Sequence, residues 1–151
     1  MRKLLGSIVA ALALATPAVA EELRASTADA EALVKNAIAY LKRHGPEKAF
    51  KEFQNRNGPF MYRDLYVIVY DPSGRCIVHG ADPSRNGKDF IAAKDKDGKL
   101  FIQERMDLAN KKGSGWHEYK WANPANGKVE PKIAYVEKFQ NYVLSSGAYK
   151  P

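Results

Sequence analysis

The chain has 151 residues, of which 45% are hydrophobic and 27% are charged, a composition that fits one globular domain and excludes a disordered tail or a polytopic membrane protein. Its 24 Lys and Arg residues outnumber its 17 Asp and Glu residues, which gives a formal net charge of +7. The single cysteine, Cys76, excludes an internal disulfide framework, an iron–sulfur cluster and a cysteine-rich zinc site.

Residues 1–20 have the three-part plan of a secretory signal peptide, with two basic residues, an apolar run over 4–15 and a small-residue cleavage site at 18–20. The apolar run is about 12 residues long, whereas a membrane-spanning helix takes about 20. A cleaved signal peptide is therefore favoured, and an uncleaved anchor is the alternative. We expect a periplasmic protein in which residues 21–151 form one domain, and we do not expect nucleic acid as a partner. The positive charge is interpreted as a solubilising surface or as a field that attracts acidic ligands.

Two helices are predicted at the start of the domain. Apolar residues at spacings of three and four over 27–44 predict an amphipathic helix, for which Thr27 is the expected N-cap. Gly45 and Pro46 then predict the end of this helix and the start of a second one over about 46–55. A long apolar stripe of this kind also allows a homodimer through the N-terminal helix.

After these helices the hydrophobic period changes from 3.6 to 2. Residues 65–70 form an apolar run with both faces apolar, which predicts a central strand covered on both sides. A turn over 71–74 leads into a second hairpin strand over 75–79 and a polar loop over 80–88. The remaining predicted elements are a helix over 101–111 and strands over 115–121, 132–139 and 142–149. The order of elements predicts an α+β domain with a five-stranded antiparallel sheet.

The common catalytic motifs are absent from the sequence. It contains no G-x-S-x-G, H-E-x-x-H or G-x-x-x-x-G-K motif, and its three histidines lie on different predicted elements. Asp95, Asp97 and Glu104 fit three positions of a calcium-binding loop, but Ala93 at the first position has no side-chain oxygen, so we interpret the segment as a solvated turn. We therefore predict no catalytic residue, no metal and no cofactor, and not an enzyme.

Aromatic residues are dense in the late strands. Strand alternation places His117, Tyr119 and Trp121 on one face of the sheet. A sheet face that carries Tyr and Trp with a few polar groups can line a small-ligand pocket, although aromatic residues on strands more often belong to the core. Lys132, at the start of its strand, can supply a cation to a carboxylate ligand.

The order and spacing of several motifs resemble the single Cache domain of the second subtype. The resemblance covers nearly all of residues 21–151 and is carried by residues 39–42, 64–71, Gly74, His79, 87–88, 94–99, 115–116, 119–121, 123–124, 131–132, Tyr135 and 146–149. It implies a PAS-like antiparallel sheet behind a long N-terminal helix, with a pocket between the sheet and short helices after the first hairpin. The family mostly forms the extracytoplasmic sensor part of chemoreceptors and histidine kinases, and its members bind small organic acids such as acetate, pyruvate or lactate.

The positions that match this family imply a set of ligand-binding residues: Tyr66, Tyr70, Phe101, Tyr119, Trp121, Lys132 and Tyr135. A regular strand points Lys132 and Tyr135 to opposite faces, so both reach one pocket only if a bulge lies near Pro131. His79 is a weaker candidate, whose ordinary pKa near neutrality would make binding sensitive to pH if it touched a carboxylate.

These observations predict a periplasmic sensor domain for a small organic acid of the acetate, pyruvate or lactate class. Such a domain would pass its signal to a membrane-bound sensor kinase, chemoreceptor or transporter by differential ligand binding to two states. The alternative is a protein-interaction module of a signalling or transport system, with its pocket filled by its own aromatic residues.

Overall fold

The computed structural model describes residues 24–123 and 126–150. The predicted signal peptide over 1–20 lies outside these residues, as do residues 124–125 in the predicted connection between two late strands. In chain order the elements are α1 (Thr27–His44), α2 (Pro46–Phe53), β1 (Met61–Tyr62), β2 (Leu65–Tyr66), β3 (Ile68–Tyr70), β4 (Cys76–His79), a 3₁₀ turn (Pro83–Arg85), α3 (Phe101–Lys112), β5 (Ser114–Ala122), β6 (Val129–Phe139) and β7 (Tyr142–Tyr149).

The main sheet confirms the predicted α+β class. Its five strands are antiparallel in the order β4-β3-β7-β6-β5. The long late strands β6 and β7 therefore lie inside the sheet, and β4 and β5 form its edges. Strand β3 lies between β4 and β7, and its three residues are buried, as expected from an apolar run without polar alternation.

The single strand predicted over 65–70 is instead divided into two. Strand β2 pairs with β1 in a separate two-stranded ribbon, whereas β3 joins the main sheet. Val67 between them is fully buried, and its carbonyl oxygen accepts a hydrogen bond from the Gly80 backbone N–H at 2.9 Å. An apolar run predicts that a strand is buried but does not predict which strands it pairs with. The sequence therefore did not predict this division.

Both ends of α1 depend on local hydrogen bonds. The N-cap is Ser26 and not Thr27, because the Ser26 hydroxyl accepts from the Asp29 backbone N–H while the Asp29 carboxylate accepts from the Ser26 backbone N–H. At the other end Gly45 has a φ of 77°, and Pro46 begins α2 as predicted. Helix α2 ends two residues earlier than expected.

The sheet is covered by a different layer on each face. Helix α1 packs its apolar stripe against β6 and β7, and this stripe is buried within the domain: Ala30, Leu33, Val34, Ala37, Ile38 and Leu41. The opposite face is covered by α3 and by the long segment 80–100, which has only the short 3₁₀ turn as regular structure. A cavity lies under this second, less regular layer.

Candidate ligand-binding site

A cavity of about 200 Å³ lies between the sheet and the layer formed by 80–100 and α3. Its wall combines strands β2 to β5 with the covering segment, so it is assembled from parts that are far apart in the chain. The residues that line it are Tyr66, Ile68, Tyr70, Cys76, His79, Arg85, Phe90, Ala93, Phe101, Ile102, Arg105, Tyr119 and Trp121.

The structure brings five of the seven predicted ligand-binding residues to this cavity. Tyr66 and Tyr70 come from the early strands, and Tyr119 and Trp121 come from the edge strand β5, where alternation puts them on one face. Phe101, the first residue of α3, stacks on Tyr119 with ring centroids 4.8 Å apart. These rings form the apolar wall of the site.

Lys132 and Tyr135 are placed differently from the prediction. Strand β6 pairs with β5 in unbroken register from Val129 to Glu137, so no bulge near Pro131 turns the two side chains to one side. Tyr135 belongs to the core under α1, on the other face of the sheet, and its hydroxyl donates to Glu137.

Lys132 lies on the cavity side of the sheet, but it is not among the residues that line the cavity. It pairs with Tyr119 across the strands, and its Nζ donates to the Tyr66 hydroxyl oxygen at 3.3 Å. The ammonium also lies over the rings of Tyr66 and Tyr149, at 4.9 and 4.7 Å from their centroids. Lys132 therefore reaches the cavity through Tyr66.

Arg105 is a buried cation of the cavity wall that the sequence did not identify as a ligand-binding residue. It is 1% exposed, its Nε donates to His117 Nε2 at 3.0 Å, and its Nη1 donates to the Tyr70 hydroxyl oxygen at 2.9 Å. Its Nη2 is buried without a hydrogen-bond partner among the described residues. The available signal was an arginine on the same helical face as Phe101, since a charged residue on an apolar face is unusual.

The electrostatics of the site are dominated by these two cations. Within the described residues neither Arg105 nor Lys132 forms an ion pair with a carboxylate. Burial by itself raises the pKa of Tyr119, but the adjacent Lys132 and Arg105 charges lower it below its ordinary value. Burial raises the pKa of Tyr70 to about 12, so this phenol stays neutral at physiological pH. The site therefore has an excess of buried positive charge.

Two histidines next to these cations are held neutral. Burial, and then the Arg85 charge, lower the pKa of His79 to about 4. Burial, and then the Arg105 charge, lower the pKa of His117 to about 2. At neutral pH the His79 ring is therefore uncharged. Neutral His117 accepts from Arg105 and fixes the direction of the guanidinium.

Arg85 closes the cavity on the side of the covering segment. Its guanidinium lies over the rings of Phe90 and Trp121, at 5.3 and 5.6 Å from their centroids, and its Nε donates to the Asp82 carboxylate at 3.2 Å. Cys76 lies in the wall, where burial raises the pKa of its thiol to about 11, so it is a packing residue and not a nucleophile.

The acidic segment that partly fits a calcium loop has another role here. Asp95 accepts backbone N–H bonds from Asp97, Lys99 and Lys120, all between 2.9 and 3.0 Å. These bonds tie the covering segment to β5. Among the described residues, no three His, Cys, Asp or Glu side chains are grouped so that they could hold a metal ion.

The fold and the enclosed cavity define a ligand-binding domain of PAS-like architecture. The chain belongs to the single Cache domain 2 family, whose family model matches residues 7–150. It is therefore a Cache sensor domain, and the family consists of extracellular, non-catalytic ligand-sensing domains that occur in chemoreceptors and histidine kinases. Within the described residues, no helix is long and apolar enough to cross a membrane.

Two curated relatives are signalling proteins. The chain is 35% identical over 89 residues to the sensor histidine kinase MctS of Rhizobium johnstonii, which is 58% of this chain and 19% of that protein. It is 28% identical over 88 residues to the methyl-accepting chemotaxis protein McpP of Pseudomonas putida, which is 57% of this chain and 16% of that protein. The chain thus spans less than a fifth of the length of each relative.

Solved structures agree on the fold. A methyl-accepting chemotaxis protein from Vibrio parahaemolyticus matches with a TM-score of 0.69 at 23% identity, covering 81% of this chain and 86% of that one. A Cache chemosensory domain that recognises carboxylic acid matches with a TM-score of 0.63 at 24% identity, covering 82% and 88%. A periplasmic sensor domain of a chemotaxis protein matches with a TM-score of 0.62 at 26% identity, covering 90% and 100%.

Proposed function

We infer that this protein is a periplasmic sensor domain for a small organic acid of the acetate, pyruvate or lactate class. The observation that carries the proposal is Arg105, a guanidinium in the cavity wall that is 1% exposed and has no carboxylate partner among the described residues. A bound carboxylate would supply the missing negative charge.

The size of the cavity supports a small ligand. Pockets for drug-sized molecules enclose about 300–1,000 Å³. The cavity of this protein, at about 200 Å³, is smaller and holds a molecule of only a few heavy atoms. Its aromatic wall would cover the short apolar part of an organic acid, and its polar groups would bind the carboxylate.

The charge of the cavity supports an anion. A buried ion without a partner is costly, on the order of several kcal/mol, because it has lost its hydration. Arg105 and Lys132 are 1% and 2% exposed, and among the described residues their hydrogen bonds go to His117, Tyr70 and Tyr66, none of which is a carboxylate. A ligand carboxylate would form charge-assisted hydrogen bonds with Arg105 and relieve this imbalance.

The comparisons support the same ligand class and a signalling role. One structural neighbour is a Cache chemosensory domain that recognises carboxylic acid, and the curated relatives are a sensor histidine kinase and a chemotaxis protein. We propose that residues 1–20 direct export and that residues 21–151 bind the ligand. The bound domain would then act on a membrane-bound sensor kinase, chemoreceptor or transporter.

The rival function is a ligand-free protein-interaction module. It requires that the aromatic side chains fill the pocket, which the cavity of about 200 Å³ argues against. A homodimer through the N-terminal helix stays a prediction. Because the apolar stripe of α1 is buried within the domain, such a dimer would use the polar side of the helix.

Calorimetry of the purified protein against acetate, propionate, pyruvate and lactate tests the proposal. We expect at least one of these acids to bind, and Arg105→Gln to weaken its binding by about tenfold or more, as expected for a charged hydrogen bond of about 1.5–3 kcal/mol. Lys111→Gln is the matched control, since Lys111 is an exposed residue of the same helix. If no acid gives heat or a thermal shift, the proposed function is wrong.

A further inference from the structure

The Tyr66 hydroxyl has a fixed hydrogen-bond direction. Its oxygen accepts from Lys132 Nζ at 3.3 Å, and an ammonium group has three donors and no acceptor. The phenol hydrogen of Tyr66 must therefore point away from Lys132. No described residue accepts it, and Tyr66 lines the cavity. The hydroxyl is left as a donor to whatever occupies the cavity.

Tyr70 is arranged in the same way by the second buried cation. Its hydroxyl oxygen accepts from Arg105 Nη1 at 2.9 Å, and a guanidinium group also has only donors. No described residue accepts the Tyr70 hydrogen. A tyrosine hydroxyl can in general donate or accept a hydrogen bond. Here the adjacent cations occupy the oxygens of both tyrosines, so both hydroxyls act as donors.

Further side chains of the wall also carry donors. His79 is neutral, and its Nδ1 accepts from the Asp82 backbone N–H at 2.9 Å, so the proton lies on Nε2. Trp121 and Arg105 carry only donors. None of the residues that line the cavity is an Asp, Glu, Asn or Gln, so no lining side chain offers a carboxylate or carboxamide acceptor.

We propose that the cavity selects small anions by hydrogen-bond polarity, taking 2-oxo acids in preference to 2-hydroxy acids and excluding 2-amino acids. In this arrangement Lys132 is a positioning residue that acts through Tyr66. The inference rests on the proposed function and makes it more specific. A 2-oxo group has only acceptors and matches these donors, whereas a hydroxyl hydrogen or an ammonium group would find no carboxylate or carboxamide acceptor among the lining side chains.

Four three-carbon acids that differ only at the second carbon test this selection: propionate, pyruvate, lactate and alanine. Since a buried donor without an acceptor is costly, we expect lactate to bind the purified protein about tenfold or more weakly than pyruvate. We expect no measurable binding of alanine, because its ammonium would also face the buried cations. Binding of alanine within tenfold of pyruvate would overturn the inference.

A double-mutant cycle tests the role of Lys132. In Lys132→Met, the Tyr66 oxygen is free to accept from the lactate hydroxyl, so the ratio of the lactate Kd to the pyruvate Kd should fall toward one. In a Tyr66→Phe background the same lysine substitution should leave that ratio unchanged, because the lysine acts through the hydroxyl. Lys138→Met, an exposed position on β6, is the matched control.

The outcomes separate the two proposals. If pyruvate binds and Lys132→Met folds cooperatively but keeps the wild-type ratio, Lys132 has no positioning role and this inference fails while small-anion sensing stands. If Lys132→Met does not fold, Lys132→Gln, which keeps a donor, is expected to keep the wild-type preference, and a lost preference would overturn the inference. If none of the four acids binds, both proposals fail.

Discussion

The sharpest prediction concerns stability at mildly acidic pH. His79 and His117 are buried and neutral, and burial together with the neighbouring arginines lowers their pKa values to about 4 and about 2. Both histidines have an ordinary pKa of 6.5 once the chain unfolds. Between pH 6.5 and about 4 the unfolded state therefore binds two protons that the folded state does not.

This difference fixes the sign and the size of the effect. Because the unfolded state binds more protons, the contribution of both histidines is fully present above pH 6.5 and is lost as the pH falls. Well below the unfolded pKa, each histidine lowers the free energy of unfolding by about 1.4 kcal/mol per pH unit. At pH 5 the loss amounts to about 2 kcal/mol for each histidine, or about 4 kcal/mol together.

Urea unfolding at about pH 7 and about pH 5 measures this loss. His79→Gln and His117→Gln should each be less stable than the wild type at neutral pH, yet each should lose about 2 kcal/mol less on acidification. His44→Gln is the control, because His44 lies near the surface at the end of α1 and should change the loss least. If the buried-histidine variants and the wild type lose the same free energy, the histidines are not neutral in the folded protein and the reasoning fails.

Two further predictions test packing and capping. Gly80→Ala should lower the free energy of unfolding by about 1–3 kcal/mol, because a Cβ at this position would lie 2.9 Å from the carbonyl oxygens of Phe53 and Val67; unchanged chemical denaturation would show that the backbone relaxes there. Ser26→Ala should lower the free energy of unfolding by about 1 kcal/mol through loss of the N-cap, whereas Thr27→Ala should change it little. An equal loss in both variants would show that Ser26 is not the N-cap.

Family resemblance and local patterns together predicted most of the aromatic wall. Alternation along β5 was enough to group Tyr119 with Trp121, because side chains of a regular strand point to alternate faces. The same rule separated Lys132 from Tyr135, and the unbroken register of β6 keeps them apart. The long helix and the late strands followed from periods of 3.6 and 2, which depend only on the order of apolar residues.

The covering layer could not be derived in this way. Segment 80–100 has almost no regular structure, so no hydrophobic period places the Arg85 guanidinium over the rings of Phe90 and Trp121. The division of residues 65–70 between two sheets is likewise a matter of long-range pairing, since both halves are equally apolar. Such features are set by contacts between distant parts of the chain.

The amino-acid order by itself determined the α+β architecture, the α1 stripe and the shared face of the cavity aromatics, because these depend on the local repeat of apolar residues. Only the tertiary structure decided that Arg105 is buried against His117 and Tyr70, and that Lys132 acts behind Tyr66. The physical reason is that the state of a charged group depends on the distance, polarity and burial of its neighbours, and those neighbours come from three different strands of the fold.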